Sequence, residues 1–445
     1  MKKRIQLSDH FTYNRLLRFS LPSIMMIICT SIYSIVDGFF VSNYVGKTPF
    51  AALNLIMPVL MAAGAIGFML GTGGSAIVSR LLGADEKQKA HESFSLIILF
   101  SFILGVIISA IGFIFTEPIS VLLGADDELL KYCVLYGRIC FAFTPFFILQ
   151  YMFQSFFVAA EKPQLSLWIN IIAGVVNAIL DLLLVAVFPM GLAGAAIATG
   201  IGQVIGGLVP VIYFLRKNDS LLKFVKPRMD IKTIVKACTN GSSEMVNVLA
   251  ASVVGMLYNH QLLKIAGQNG VAAYGIIMYI NMIFQAVFMG YAVGTAPIVS
   301  YHYGAQNTDE LKSLRKKSIN IIIASGGIML ILSELLARPL VMIFANYDKE
   351  LLNMTVHGFM LYSISFLIMG FNVWGSAFFT ALGDGFTSAT ISFLRTFLFQ
   401  IVIILVLPLI LKTDGIWLAI VVAEALGVIV TTAFLISKRH KYNYA

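Results

Sequence analysis

The sequence predicts an all-α polytopic membrane protein, with 12 transmembrane helices in two parallel six-helix repeats, an N-lobe and a C-lobe, around a central cleft. Three observations carry this prediction. Of 445 residues, 59% are hydrophobic and only 12% charged, about half the charge of a soluble domain. Apolar runs of the roughly 20 residues that cross a bilayer recur along the whole chain. The chain also aligns with itself, without a gap, at a shift of 221 residues.

The elements follow in order. A basic start, Lys2, Lys3 and Arg4, precedes an apolar run at 16–41, too long for a signal-peptide core, which is therefore span 1. Runs bounded by Gly, Pro or charged turns continue at 51–79, 94–115, 133–158, 165–188 and 192–215. A polar break then holds Arg216, Lys217, Lys223, Lys226, Arg228 and Lys232. Spans resume at 234–263, 272–300, 318–344, 353–381, 387–411 and 415–437. The expected division is an N-lobe at 1–215, a cytoplasmic linker at 216–232 and a C-lobe at 233–445.

Most of the 31 lysines and arginines fall in alternate loops; the opposite loops hold Lys47, Lys131, Lys264, Arg338, Lys349 and Lys412. By the positive-inside rule both termini are expected in the cytoplasm. The 221-residue shift brings Gly46 onto Gly267, Val78 and Ser79 onto Val299 and Ser300, and Gly83 and Ala84 onto Gly304 and Ala305. The register continues with Pro118 on Pro339, Gly137 on Gly358 and Gly194 on Gly415. Because six is even, both copies keep one orientation, and their two-fold axis runs along the membrane normal. Two lobes so related can rock about the cleft between them, which points to transport rather than to a channel or receptor.

Other classes fall away. The net charge of +9 is spread over short loops with no basic stripe, so no nucleic-acid partner is expected; the lipid bilayer, with its anionic headgroups, is. Cys29, Cys133, Cys140 and Cys238 lack disulfide or CxxC spacing and read as reduced. Six scattered histidines form no HExxH, and neither a Walker loop nor a GxSxG elbow occurs, so neither an enzyme nor a cofactor is expected.

An ionisable group at depth costs about 2.5–3.5 kcal/mol on the insertion scale and calls for a partner or a task. The deep ones are Asp37 on span 1, Asp181 on span 5, Glu244 on span 7, Arg395 on span 11 and Glu424 on span 12; Arg138 and Glu334 lie nearer span ends and read as interfacial. Asn170, Gly174, Asn177 and Asp181 share one helical stripe. Asp181 and Asp37 both fall toward the outer ends of their spans, where Thr199 and Gln203 of span 6 can reach them. Two close carboxylates suit a proton carrier; with the amide and hydroxyl oxygens of Asn177 and Thr199 they equally suit Na⁺. Glu244, Arg395 and Glu424 fall near mid-depth, where they could hold an organic cation or neutralise one another. Pro22 kinks span 1 and is a candidate hinge.

These residues resemble the multidrug and toxic compound extrusion (MATE) family over essentially the whole chain. The resemblance rests on Ser20-Leu21-Pro22 and Val36-Asp37-Gly38, on the turn from Ser79 to Ala84, on Asn177 to Asp181 with Gly194 to Thr199, and on the matching turn from Ser300 to Asn307. Within the family it is similar to the bacterial branch holding the staphylococcal multidrug exporter and the DNA-damage-inducible F proteins. It implies an antiporter of cationic or amphipathic compounds driven by H⁺ or Na⁺, in the bacterial cytoplasmic membrane, and a first-lobe cation site at Asp37, Asn177, Asp181 and Thr199. Gln154 stands where the family carries a further asparagine, and Glu244 matches its acid on helix 7. A monomer is expected. The competing reading is a flippase for a lipid-linked precursor, which needs a cationic groove for diphosphate; only Arg395 stands deep.

Overall fold

The computed structural model describes residues 5–188, 190–346 and 348–444; Lys2, Lys3 and Arg4 of the basic start lie outside them, as does the side chain of Lys47. The described residues hold thirteen α-helices and no strand: α1 Tyr13–Phe40, α2 Lys47–Gly83, α3 Lys87–Leu122, α4 Asp127–Ala159, α5 Pro163–Asp181, α6 Gly191–Leu215, α7 Ile231–Gly304, α8 Thr308–Ala345, α9 Lys349–Ser363, α10 Phe366–Ala381, α11 Gly385–Phe393, α12 Phe399–Ser437 and α13 Arg439–Tyr442. Short polar side chains start many of them, satisfying first-turn N–H groups: Thr12 caps α1, Asp126 caps α4, Asn307 caps α8 and Asp384 caps α11.

Among the described residues nine helical segments are long and apolar enough to cross a membrane, or ten if α9 and α10, bent by 50°, form one span. Two of the nine are broken. The 74-residue α7 turns at Gly267 (φ 65°), and α12 turns at Lys412 (φ 51°), so each has two limbs. These breaks belong to a pattern. Left-handed residues occur in pairs 221 positions apart: Gly46 with Gly267, Asp85 with Gln306, and Gly191 with Lys412. The repeat read from side chains is thus a repeat of backbone turns.

Three helices carry wider π-helical turns: Val41–Val45 after α1, Leu182–Val187 after α5 and Leu394–Leu398 between α11 and α12. Such turns are rare and concentrate at functional sites. Here the first follows Asp37 by one helical turn, the second begins directly after Asp181, and the third contains Arg395.

Each lobe has its own aromatic core. Phe94, Phe153, Phe157 and Phe214 interlock in the first, and Phe284, Phe359 and Phe366 in the second. The lobes meet where small residues let backbones touch. Gly294 on α7 lies against Ser20 of α1, and the symmetry-related Gly73 on α2 lies against Gly241 of α7. Pro22 is buried on α1 between such contacts, with Gly290 of α7 against neighbouring Ile24. α1 is thus packed on the opposite lobe on both sides of Pro22 in this conformation.

The N-terminal segment closes the same end. The Leu7 N–H donates to Glu161 of the first lobe (2.7 Å), while the Phe11 N–H donates to Glu310 of the second (2.9 Å) and His10 Nδ1 meets its other oxygen at 2.6 Å. Leu7 and Phe11 are fully buried. The segment is therefore a strap across both lobes. The linker is likewise packed rather than free: Leu222 is buried, and the Val225 N–H donates to Ser95 Oγ of α3 (3.0 Å).

Candidate ion site and central cavity

Three helices of the first lobe build a buried polar cluster. Asp37 on α1 accepts a hydrogen bond from Thr199 Oγ1 on α6 at 3.3 Å. The carboxyl of Asp181, at the end of α5, lies against that of Asp37. Asn177, one turn back on α5, is 1% exposed and Asp181 0%. Neither the Asn177 amide nor either Asp181 oxygen has a hydrogen-bond partner in the protein. Buried polar atoms without partners are rare and call for an explanation. Two carboxylates are both acceptors, so they can share a contact only through a proton or a cation.

The donor set fits either. Carboxylate, amide and hydroxyl oxygens are hard ligands suited to Na⁺, and among the described residues no group of three His, Cys, Asp or Glu suggests a transition metal. Tyr33, Tyr136 and Cys140 also surround Asp37. The sequence did not assign them to this site, Cys140 being read only as a reduced cysteine, because neutral aromatic and thiol side chains raise no anomaly in an apolar helix; the i, i+4 spacing of Tyr33 and Asp37 was the available signal.

Gln154 does not join this cluster. Its amide donates to Asn170 Oδ1 (3.4 Å), which also accepts from Gln150 (3.5 Å). Asn170 lies eleven residues before Asp181 on α5, about 16 Å along the axis. The expectation that Gln154 lies beside Asp37 and Asp181 is therefore corrected: five residues from the end of α4, it stands at the level of Asn170, in a separate amide cluster. Gln203 is buried on α6 between the two, one turn on from Thr199.

The second lobe carries different chemistry. Glu244, Arg395 and Glu424 line one cavity of about 210 Å³ with Tyr258, Tyr274, Met278 and Tyr362, and α2 closes it from the first lobe with Phe68 and Thr72. Arg395 donates to Glu424 at 2.8 Å, and both are nearly fully buried. Asn372 donates to the other Glu424 oxygen (2.7 Å) and accepts from Thr431 (3.0 Å). That pair is neutral overall, with Arg395 Nε left without a hydrogen-bond partner. Asn247 lies beside Glu244, and the charge of Arg395 also reaches it. Glu244 makes no ion pair among the described residues, and the cavity around it has aromatic and thioether walls, the Tyr258 and Tyr274 rings stacked 4.8 Å apart.

Comparisons with known proteins agree with this architecture. A family model described as MatE matches residues 22–183 and again 245–406, once in each lobe. The chain is 29% identical over 371 residues to the multidrug export protein MepA of Staphylococcus haemolyticus, covering 80% of each chain. It is 28% identical over 418 residues to MepA of Staphylococcus saprophyticus, covering 93% of this chain and 91% of the relative. In fold it superposes on a crystal structure of MATE in complex with MaL6 with a TM-score of 0.94 at 20% identity, all of both chains being covered. It superposes on an outward-facing multidrug resistance MATE family transporter with a TM-score of 0.93 at 21% identity, again over both whole chains. With the model matching most of its length in two register-related blocks, this chain is a multi-pass membrane protein that belongs to the MatE family of multidrug efflux transporters.

Proposed function

We propose that the protein exports cationic or amphipathic organic compounds from the bacterial cytoplasm in exchange for inward H⁺ or Na⁺, by alternating access. The observation that carries this reading is the pairing of two distinct acidic sites. In the first lobe, Asp37 and Asp181 adjoin with no donor between them, beside an Asn177 amide that has no partner. In the second, Glu244 faces a cavity whose other charges cancel. The first suits a small coupling cation, and the second an organic one.

Asp37, Asp181, Asn177 and Thr199 then form the coupling site; binding of H⁺ or Na⁺ there relieves the repulsion of two buried carboxylates. Substrate leaves Glu244 when that relief is used to shift the lobes. Counting each limb of α7 and α12 as a crossing gives 12 spans, with both termini cytoplasmic and the chain acting as a monomer. The flippase reading finds less support, since Arg395, the arginine of the central cavity, is already held by Glu424.

The test is uptake of ethidium into proteoliposomes of the purified protein, with a pH gradient and a Na⁺ gradient imposed separately. Accumulation under one gradient, lost in Asp37→Asn and in Asp181→Asn, is the expected result and names the coupling ion. Accumulation that ignores both gradients and both substitutions would remove the proposal.

A further inference from the structure

Arg138 has no role in either site. It lies on α4 eleven residues from the helix start, beside the exposed apolar side chains Phe113 and Leu135, with its guanidinium over the Phe113 ring (5.6 Å to the centroid) and its Nε buried without a hydrogen-bond partner. A cation at that depth calls for an anion or for water. Among the described residues no carboxylate is within salt-bridge reach of it.

It belongs to a groove. Between α3 and α4, at the end of the bundle opposite the termini, an open channel of about 690 Å³ is lined by Phe113, Glu117, Lys131, Val134, Arg138 and Phe143, with further aliphatic side chains. Lys131 and Arg138 are two turns apart and stand on one face of α4. Glu117 faces them from α3. The three groups sum to one positive charge, at the edge of a trough otherwise apolar and open sideways to the membrane.

We propose that this groove is a glycerophospholipid site in the leaflet opposite the termini, with Lys131 and Arg138 holding the phosphodiester and the apolar walls receiving the start of the acyl chains. One phosphodiester neutralises the groove. The planar guanidinium can offer its unpartnered N–H groups to phosphate oxygens as a fork, while the lysine adds a point charge nearer the helix end. Acyl chains cover the aliphatic walls as they would cover any lipid-facing helix. Glu117 leaves room for the amine of an ethanolamine headgroup without requiring it.

The site belongs to one lobe only. At the shift of 221, Lys131 falls on Leu352 and Arg138 on Phe359, both buried in the second lobe's core, and Glu117 falls on Arg338. The repeat has thus kept the helices and lost the groove, so a single lipid per chain is expected.

Native mass spectrometry of the full chain, released from vesicles of phosphatidylethanolamine and phosphatidylglycerol, tests this. The wild type should retain one tightly bound phospholipid. Arg138→Gln should lower its occupancy at least fivefold, Lys131→Gln two- to threefold, and the exposed Arg338→Gln at the same end of the other lobe not at all. Arg138→Lys, which keeps the charge and loses the fork, should fall between wild type and Arg138→Gln, and serves if Arg138→Gln does not fold. Equal retention of both lipid classes identifies the phosphodiester as the recognised group. Unchanged occupancy in Arg138→Lys and Lys131→Gln together, or in Arg138→Gln alone, overturns the proposal.

Discussion

Gly83 and Gly304, 221 positions apart, pack on each other's helices: Gly83 rests on the Tyr301 carbonyl and Gly304 on the Arg80 carbonyl. The pseudo-two-fold axis passes between them. A Cβ at either place would collide with backbone, which cannot yield as a side-chain tip can. Gly83→Ala or Gly304→Ala should therefore separate the lobes at this end, at a cost of roughly 1–3 kcal/mol to the closed arrangement. Distances between spin labels on the two lobes should lengthen there, and the double substitution should add little once the first has opened the seam.

The two acidic sites should fail differently. Asp37→Asn or Asp181→Asn should abolish gradient-driven ethidium efflux while leaving ethidium binding within about threefold of wild type, about 0.7 kcal/mol or less. Glu244→Gln should instead weaken ethidium binding about tenfold, about 1.4 kcal/mol. Binding measured beside transport separates the two, and identical phenotypes would contradict the division of labour.

Glu424 is expected to matter for stability more than for substrate. Its partner Arg395 is 4% exposed, and Glu424→Gln leaves that charge buried without its ion-pair partner, a loss of roughly 3–5 kcal/mol. Replacing both by methionine should recover most of it. Thermal unfolding in detergent reads both variants, and a single substitution milder than the double one would argue against the pair as described.

Asp384 gives a pH dependence outside the membrane segments. Burial by itself would raise its carboxyl pKa, but Lys438, Tyr442 and Thr387 all donate to it, and together they hold it below the ordinary range. A depressed folded value stabilises the fold fully above the unfolded pKa, about 3.9, and that contribution is lost as pH falls from there through the folded value. Asp384→Asn, which also weakens the cap of α11, should cost roughly 1–2 kcal/mol at neutral pH. Melting at descending pH should show the wild type converging on the variant in the acid range.

Lys412 occupies a turn that its repeat partner makes with Gly191. A side chain at φ 51° and ψ −127° is strained, by about 1–2 kcal/mol relative to glycine. Lys412→Gly should raise the melting temperature by a few degrees, unlike most glycine substitutions.

The parts that were legible in the sequence were those that violate a rule. A carboxylate in an apolar helix has to be explained, so Asp37, Asp181, Glu244, Arg395 and Glu424 stood out, and helix arithmetic placed Thr199 at the depth of Asp37. The register at 221 was visible because turns need particular residues, and Gly46, Gly83 and Gly194 recur in the second copy. What escaped was rotation about the helix axis. Depth does separate Gln154, five residues from the end of α4, from the two aspartates, but it could not tell that Tyr136 and Cys140 face Asp37, because interhelical contacts depend on the azimuth of α4 and no polarity marks it. Nor could it tell which two of the three second-lobe charges would pair.

The wide turns after Asp37 and Asp181 have a mechanical meaning. A π-helical turn holds one more residue than an α-helical one, and an α-helix advances about 100° per residue. Tightening such a turn screws everything beyond it by roughly that angle relative to everything before it, with the helix axis left in line. α1 and α5 therefore each carry a swivel beside the carboxylate, and the tip of the first lobe away from the termini can be turned like a key while its base stays fixed in the seam.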